Sequence, residues 1–97
     1  PAPPWAHGVM AMIRENDHQR MRWASRRGML ELDLVLAPFV EGVYPTLGEA
    51  DRACYQRLME CEDQELYAWF LGREAPEDPA LAALVRRIVA HKRGEGA

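Results

Sequence analysis

The chain has 97 residues, 48% hydrophobic and 28% charged, enough for one domain with a modest core and too few for two. Its 12 basic and 15 acidic side chains leave a formal charge of −3, which gives no global field to attract a nucleic-acid backbone. The longest apolar runs, such as Leu34 to Ala37, fall far short of the roughly 20 residues that span a bilayer, and no early stretch suits a secretory signal. A protein without membrane insertion is expected.

The opening, PAPPWAHGVMAM, is rich in Pro and Ala without periodicity, so residues 1–12 are read as a disordered tail or cloning remnant, with Met10 or Met12 as a candidate natural start. Good helix formers from about Ile13 to Ser25 then predict a first helix. From Met29 to Val43 the chain is apolar nearly all round. Met29, Leu32, Leu36, Phe39, Val40 and Val43 keep helical spacing, while Leu30, Leu34 and Ala37 cover another side, as expected of a central helix. Pro38 lacks the amide of an interior helical bond and predicts a kink, or an end near Ala37.

Thr46 followed by Glu49 has the pattern of a capping box and predicts a third helix whose stripe is Leu47, Ala50, Cys54, Leu58 and Cys61. Asp63 is expected to cap a short fourth helix carrying Leu66, Tyr67, Trp69, Phe70 and Leu71, closed by a left-handed Gly72. Asp78 and Pro79 are a cap followed by a first-turn proline, and Leu81, Leu84, Val85, Ile88 and Val89 form the stripe of a fifth helix. The expected fold is all-α, a single-domain bundle of about five short helices over 13–93, with 94–97 as a flexible end.

No arrangement of nucleophile and base, paired carboxylates or metal ligands stands out, so an enzyme is not expected. Cys54 and Cys61, seven apart on one helix, are separated by about 10 Å, too far for a disulfide, and read as buried small hydrophobes. His7, His18 and His91 are expected to be solvated surface residues, and the basic run Arg86 to Arg93 to be an ordinary final helical turn.

One stretch, RRGMLELD from Arg26 to Asp33, is harder to account for. In a helix, Arg27 and Glu31 would lie four apart on one face, with Gly28 beside them and Asp33 pointing elsewhere. They would then form an exposed ion pair worth a few tenths of a kcal/mol, next to a glycine that ends a helix. Alternatively, Gly28 clears space for another backbone, and Arg27 and Glu31 flank the gap as donor and acceptor. That describes a docking patch.

The runs RWASRRGMLELD (Arg22 to Asp33), PF (Pro38 and Phe39) and LMECEDQELYAWFL (Leu58 to Leu71), in this order and spacing, resemble the succinate dehydrogenase assembly factor family. The resemblance implies a five-helix chaperone that performs no catalysis and binds no cofactor stably. It would bind the flavoprotein subunit of succinate dehydrogenase, or in bacteria of fumarate reductase, and promote covalent attachment of FAD to a histidine of that client. The family's Arg-Gly-x-x-Glu motif falls on Arg27, Gly28 and Glu31, with Trp23, Arg26 and Asp33 at further matching positions, and this set is the expected partner-binding surface. A free monomer in the bacterial cytoplasm is expected, since acidic Glu15 and Asp17 do not suit a mitochondrial leader. The rival readings are a small helical DNA-binding regulator, which the acidic balance opposes, an antitoxin-like interaction protein, and a carrier of FAD, which would need a dinucleotide fingerprint.

Overall fold

Long stretches of good helix formers, broken by Gly and Pro, give five α-helices in the computed structural model, which describes residues 4–94. They are α1 (Pro4–Ala24), α2 (Leu30–Gly42), α3 (Glu49–Met59), α4 (Asp63–Phe70) and α5 (Pro79–Lys92), with a 3-10 turn at Tyr44–Thr46. No strand occurs among the described residues.

The core forms where the apolar stripes converge on α2. Leu32, Leu36, Phe39 and Val40 of α2 meet Leu84, Val85 and Ile88 of α5, Tyr55 and Leu58 of α3, Leu66 of α4 and Met21 of α1. Each fully buried leucine or aromatic contributes about 1.5–3 kcal/mol relative to exposure. Aromatic contacts order this core, with Phe39 stacked on Tyr55 at 5.8 Å between ring centres and Tyr55 tilted against Tyr44 at 5.1 Å. Asp78 caps α5 as expected, accepting from the Ala80 amide at 2.8 Å. Gly72, at φ +77, closes α4 with the Arg73 amide bonded to the Ala68 carbonyl at 3.0 Å.

Several expectations need correcting. The first helix begins at Pro4 rather than near Ile13, so 4–12 is helical. Proline is tolerated in a first turn, and the Ala, Met and Ile that follow extend the helix outward from its packed end. Residues 1–3 of the expected tail and 95–97 of the expected flexible end lie outside the described residues. Helix α2 does not end at Ala37 but runs through Pro38. Pro38 lies on the exposed face, where water can serve the carbonyl left without its amide, while Phe39 and Val40 anchor the following turn. Leu30, Leu34 and Ala37 face solvent, so α2 is central on one face and bare on the other.

Thr46 does not cap α3. Its hydroxyl turns back to the Val43 carbonyl at 2.7 Å within the 3-10 turn, and Gly48 occupies the cap position. The α3 stripe shifts toward Tyr55 and Met59, leaving Ala50 exposed. Asp63 is the first residue of α4 rather than its cap, and the Glu62 amide is served by Glu65 Oε1 at 3.1 Å. The histidines are not simply solvated. His18 donates through Nε2 to the Val40 carbonyl at 2.8 Å, and His91 sits edge-on to Phe39, while the side chain of His7 lies outside the described residues.

The buried phenols tie α1 to the core. Tyr44 donates to Asp17 Oδ2 at 2.7 Å, and the Tyr55 hydroxyl lies 2.6 Å from that of Ser25. Burial pushes both phenols up to about 12, and for Tyr44 the bond to Asp17 adds to the rise. The fold thus favours the protonated phenols. Their stabilisation is complete below the ordinary tyrosine value near 10 and is lost as pH rises through about 12. In a Tyr67→Phe background, helix signal and phenolate absorbance are expected to change together across that interval. Phenolate forming near pH 10 while the helix signal persists would contradict this coupling.

Candidate functional site at the corner between the first two helices

Between Ala24 and Leu30 the chain reverses direction in a short loop. The turn begins as the Arg26 amide bonds to the Trp23 carbonyl at 3.1 Å. It is completed at Gly28, whose φ of +78 lies in the left-handed region that a side chain disfavours. Asp33 staples the loop from the first turn of α2, its Oδ1 accepting from the Arg27 amide at 2.9 Å.

Because the corner is not helical, Arg27 and Glu31 are not paired across one helical turn. Arg27 turns inward instead, and its side chain is 15% exposed. Nε donates to Asp63 Oδ1 at 2.7 Å, Nη1 to the carbonyls of Ala24 at 3.1 Å and Met59 at 2.8 Å, and Nη2 to that of Cys61 at 2.7 Å. Met59 ends α3, where carbonyls lack intrahelical partners and the dipole favours a cation. The planar guanidinium therefore braces the ends of α1 and α3 and the start of α4 in one group. Ser25, itself buried, adds a second tie from the corner to α3 through Tyr55.

The remaining residues of the expected patch face outward. Trp23 is 71% exposed, with the Arg26 guanidinium over its ring at 5.4 Å. Gly28 is exposed, and a Cβ built on it meets nothing within 4 Å. Glu31 is exposed and has no ion pair among the described residues. The corner thus brings together Trp23, Arg26, Gly28 and Glu31 as accessible groups, over a base locked by Arg27 and Asp33. Exposed Trp and Arg are the side chains that most often dominate binding energy at protein interfaces.

The sequence reading missed Asp63 and Ser25 as parts of this base. A signal for Asp63 existed in the tandem Glu62 and Asp63 at a helix start, one carboxylate more than capping needs. Elsewhere, both thiols are free and are pushed up mainly by burial, which keeps them protonated and weakly nucleophilic. No group of three His, Cys, Asp or Glu that could hold a metal occurs among the described residues. Among the described residues no helix is long and apolar enough to cross a membrane.

Comparison with known proteins gives matches over most of the chain. Residues 19–92 match the family model described as "Flavinator of succinate dehydrogenase". The chain is 51% identical over 78 residues to the FAD assembly factor SdhE of Pseudomonas putida, covering 80% of this chain and 93% of that protein. It is 50% identical over the same coverage to that of Pseudomonas aeruginosa. It is 54% identical over 69 residues to that of Shewanella oneidensis, covering 71% of this chain and 84% of that protein. The family match takes in the corner, the last turns of α1 and all of α2 to α5, and the chain belongs to the family of succinate dehydrogenase flavinators.

Proposed function

We propose that this protein is an assembly factor that binds the flavoprotein subunit of succinate dehydrogenase and promotes its covalent attachment to FAD. The observation that carries the reading is the division of labour at the corner. Arg27 and Asp33 hold the loop from within, and Trp23, Arg26, Gly28 and Glu31 are left accessible on its surface. The family match supports what that surface is for. Fumarate reductase is a second client in this reading, and the free factor is a monomer in the bacterial cytoplasm.

Flavin attachment needs the client's histidine next to the reactive methyl carbon of the flavin, and it needs negative charge stabilised on the ring as the bond forms. The client supplies both. The factor's part is to hold the client in the arrangement in which these groups meet, by binding that arrangement more tightly than others. A small and partly polar contact also suits release once attachment is complete.

The test is in-gel flavin fluorescence of the denatured flavoprotein subunit, co-expressed with the wild-type factor, with Glu31→Ala, or alone. Fluorescence is expected to rise several-fold with the wild type and to fall back with the variant. Because Glu31 is exposed, its replacement is expected to change stability by less than about 0.5 kcal/mol. Equal fluorescence in all three samples, with the client soluble, would overturn the reading.

A further inference from the structure

Beside the corner, the bare side of α2 borders an apolar groove. Leu34 is 54% exposed on one lip, and Leu71, just past α4, is 51% exposed on the other. The groove holds about 310 Å³ and is lined between them by half-buried Tyr67 and Phe70. Lys92 and Arg93, at the end of α5, also border it, as does Glu31. Lys92 and Arg93 make no ion pair among the described residues, so their charge is available to a partner.

We propose that this groove receives an apolar, acidic segment of the flavoprotein client, a second contact continuous with the corner. Apolar side chains of the segment lie between Leu34 and Leu71, and its carboxylates face Lys92 and Arg93. The inference rests on the assembly reading above and adds to it a place on the factor and a chemistry for the partner. Glu31 borders both surfaces, so one client can engage both at once.

Charge selects this occupant over two others. A second copy would set the patch against itself about a two-fold axis, bringing four cations against two carboxylates. An anionic membrane would be attracted by Lys92 and Arg93 but would present a flat, like-charged surface to Glu31. An acidic protein segment satisfies the cations and lays its apolar side chains along the groove.

The test is the affinity of the full chain for the separately purified apo-flavoprotein subunit of its own succinate dehydrogenase, by biolayer interferometry at two salt concentrations. Leu34→Glu, at an exposed position, is expected to weaken binding by at least roughly tenfold with an unchanged melting temperature. The double variant Lys92→Glu and Arg93→Glu is expected to weaken it roughly threefold or more and to remove most of its salt sensitivity. Leu71→Glu, on the opposite lip, gives the same readout should Leu34→Glu disturb α2.

Full affinity in the groove variants, with Glu31→Ala weakened, would overturn the groove and leave the assembly reading standing. No binding by the wild type would overturn both. Binding to vesicles containing anionic lipid that the groove variants lose, with client affinity unchanged, would assign the groove to a membrane. A wild-type dimer in light scattering that Leu34→Glu dissociates, again with client affinity unchanged, would assign it to a second copy.

Discussion

Arg27→Ala is expected to destabilise the bundle by about 2–4 kcal/mol, because it strips partners from buried or half-buried carbonyls and leaves Asp63 unpaired. For a domain of this size, that corresponds to a loss of about 15 °C in melting temperature. The effect follows from position. One guanidinium serves the carbonyls of Ala24, Met59 and Cys61 and the carboxylate of Asp63 at once. Arg27→Lys is expected to recover less than half of the loss, since an ammonium is a point charge and cannot match a planar fork to four acceptors. Thermal and guanidinium unfolding followed by circular dichroism measure both. A melting temperature within a few degrees of wild type for Arg27→Ala would make Arg27 a surface contact rather than a brace. Loss of flavinylation in this variant would not by itself place Arg27 at the client, because the corner that presents Trp23 and Glu31 loosens with it.

Gly28→Arg is expected to abolish client binding, lowering affinity by at least roughly 100-fold, about 2.7 kcal/mol, while the bundle stays folded. Two effects combine and can be separated. Any side chain at φ +78 carries about 1–2 kcal/mol of backbone strain, and a long cation projects from the middle of the accessible corner. Gly28→Ala bears the strain without the bulk. It is therefore expected to melt like Gly28→Arg and to retain most of the client affinity. Equal loss of affinity in the two variants would show that the conformation of the loop matters and its open surface does not. An unfolded Gly28→Arg would instead leave Gly28 with a purely structural role.

The helices were legible in the sequence wherever one short-range signal acted alone. Asp78 with Pro79 started α5, and Gly72 ended α4, because each acts within a few residues of itself. Thr46 failed as a cap because its hydroxyl turned back to donate to the Val43 carbonyl rather than accept from the Glu49 amide, and of the kink or end expected at Pro38 the end did not occur, because Pro38 lies on the exposed face and Phe39 and Val40 anchor the next turn. In both cases the local rule was sound and the surroundings outweighed it. The apolar residues of α2 were equally visible, but spacing cannot say which of two apolar faces the other helices will cover. Packing buried Leu32 and Leu36 and left Leu34 on the lip of a groove.

The sequence by itself determined an all-helical bundle, the elements in their order, and the residues that carry the family resemblance, since periodicity and motif are properties of neighbouring positions. The tertiary structure decided the roles within the motif. Arg26 and Arg27 are adjacent and chemically identical, yet one stacks on an exposed tryptophan and the other braces three helices. The partners that decide between them, Met59, Cys61 and Asp63, lie 32 to 36 residues further along the chain and come within reach only when α3 and α4 pack against the end of α1.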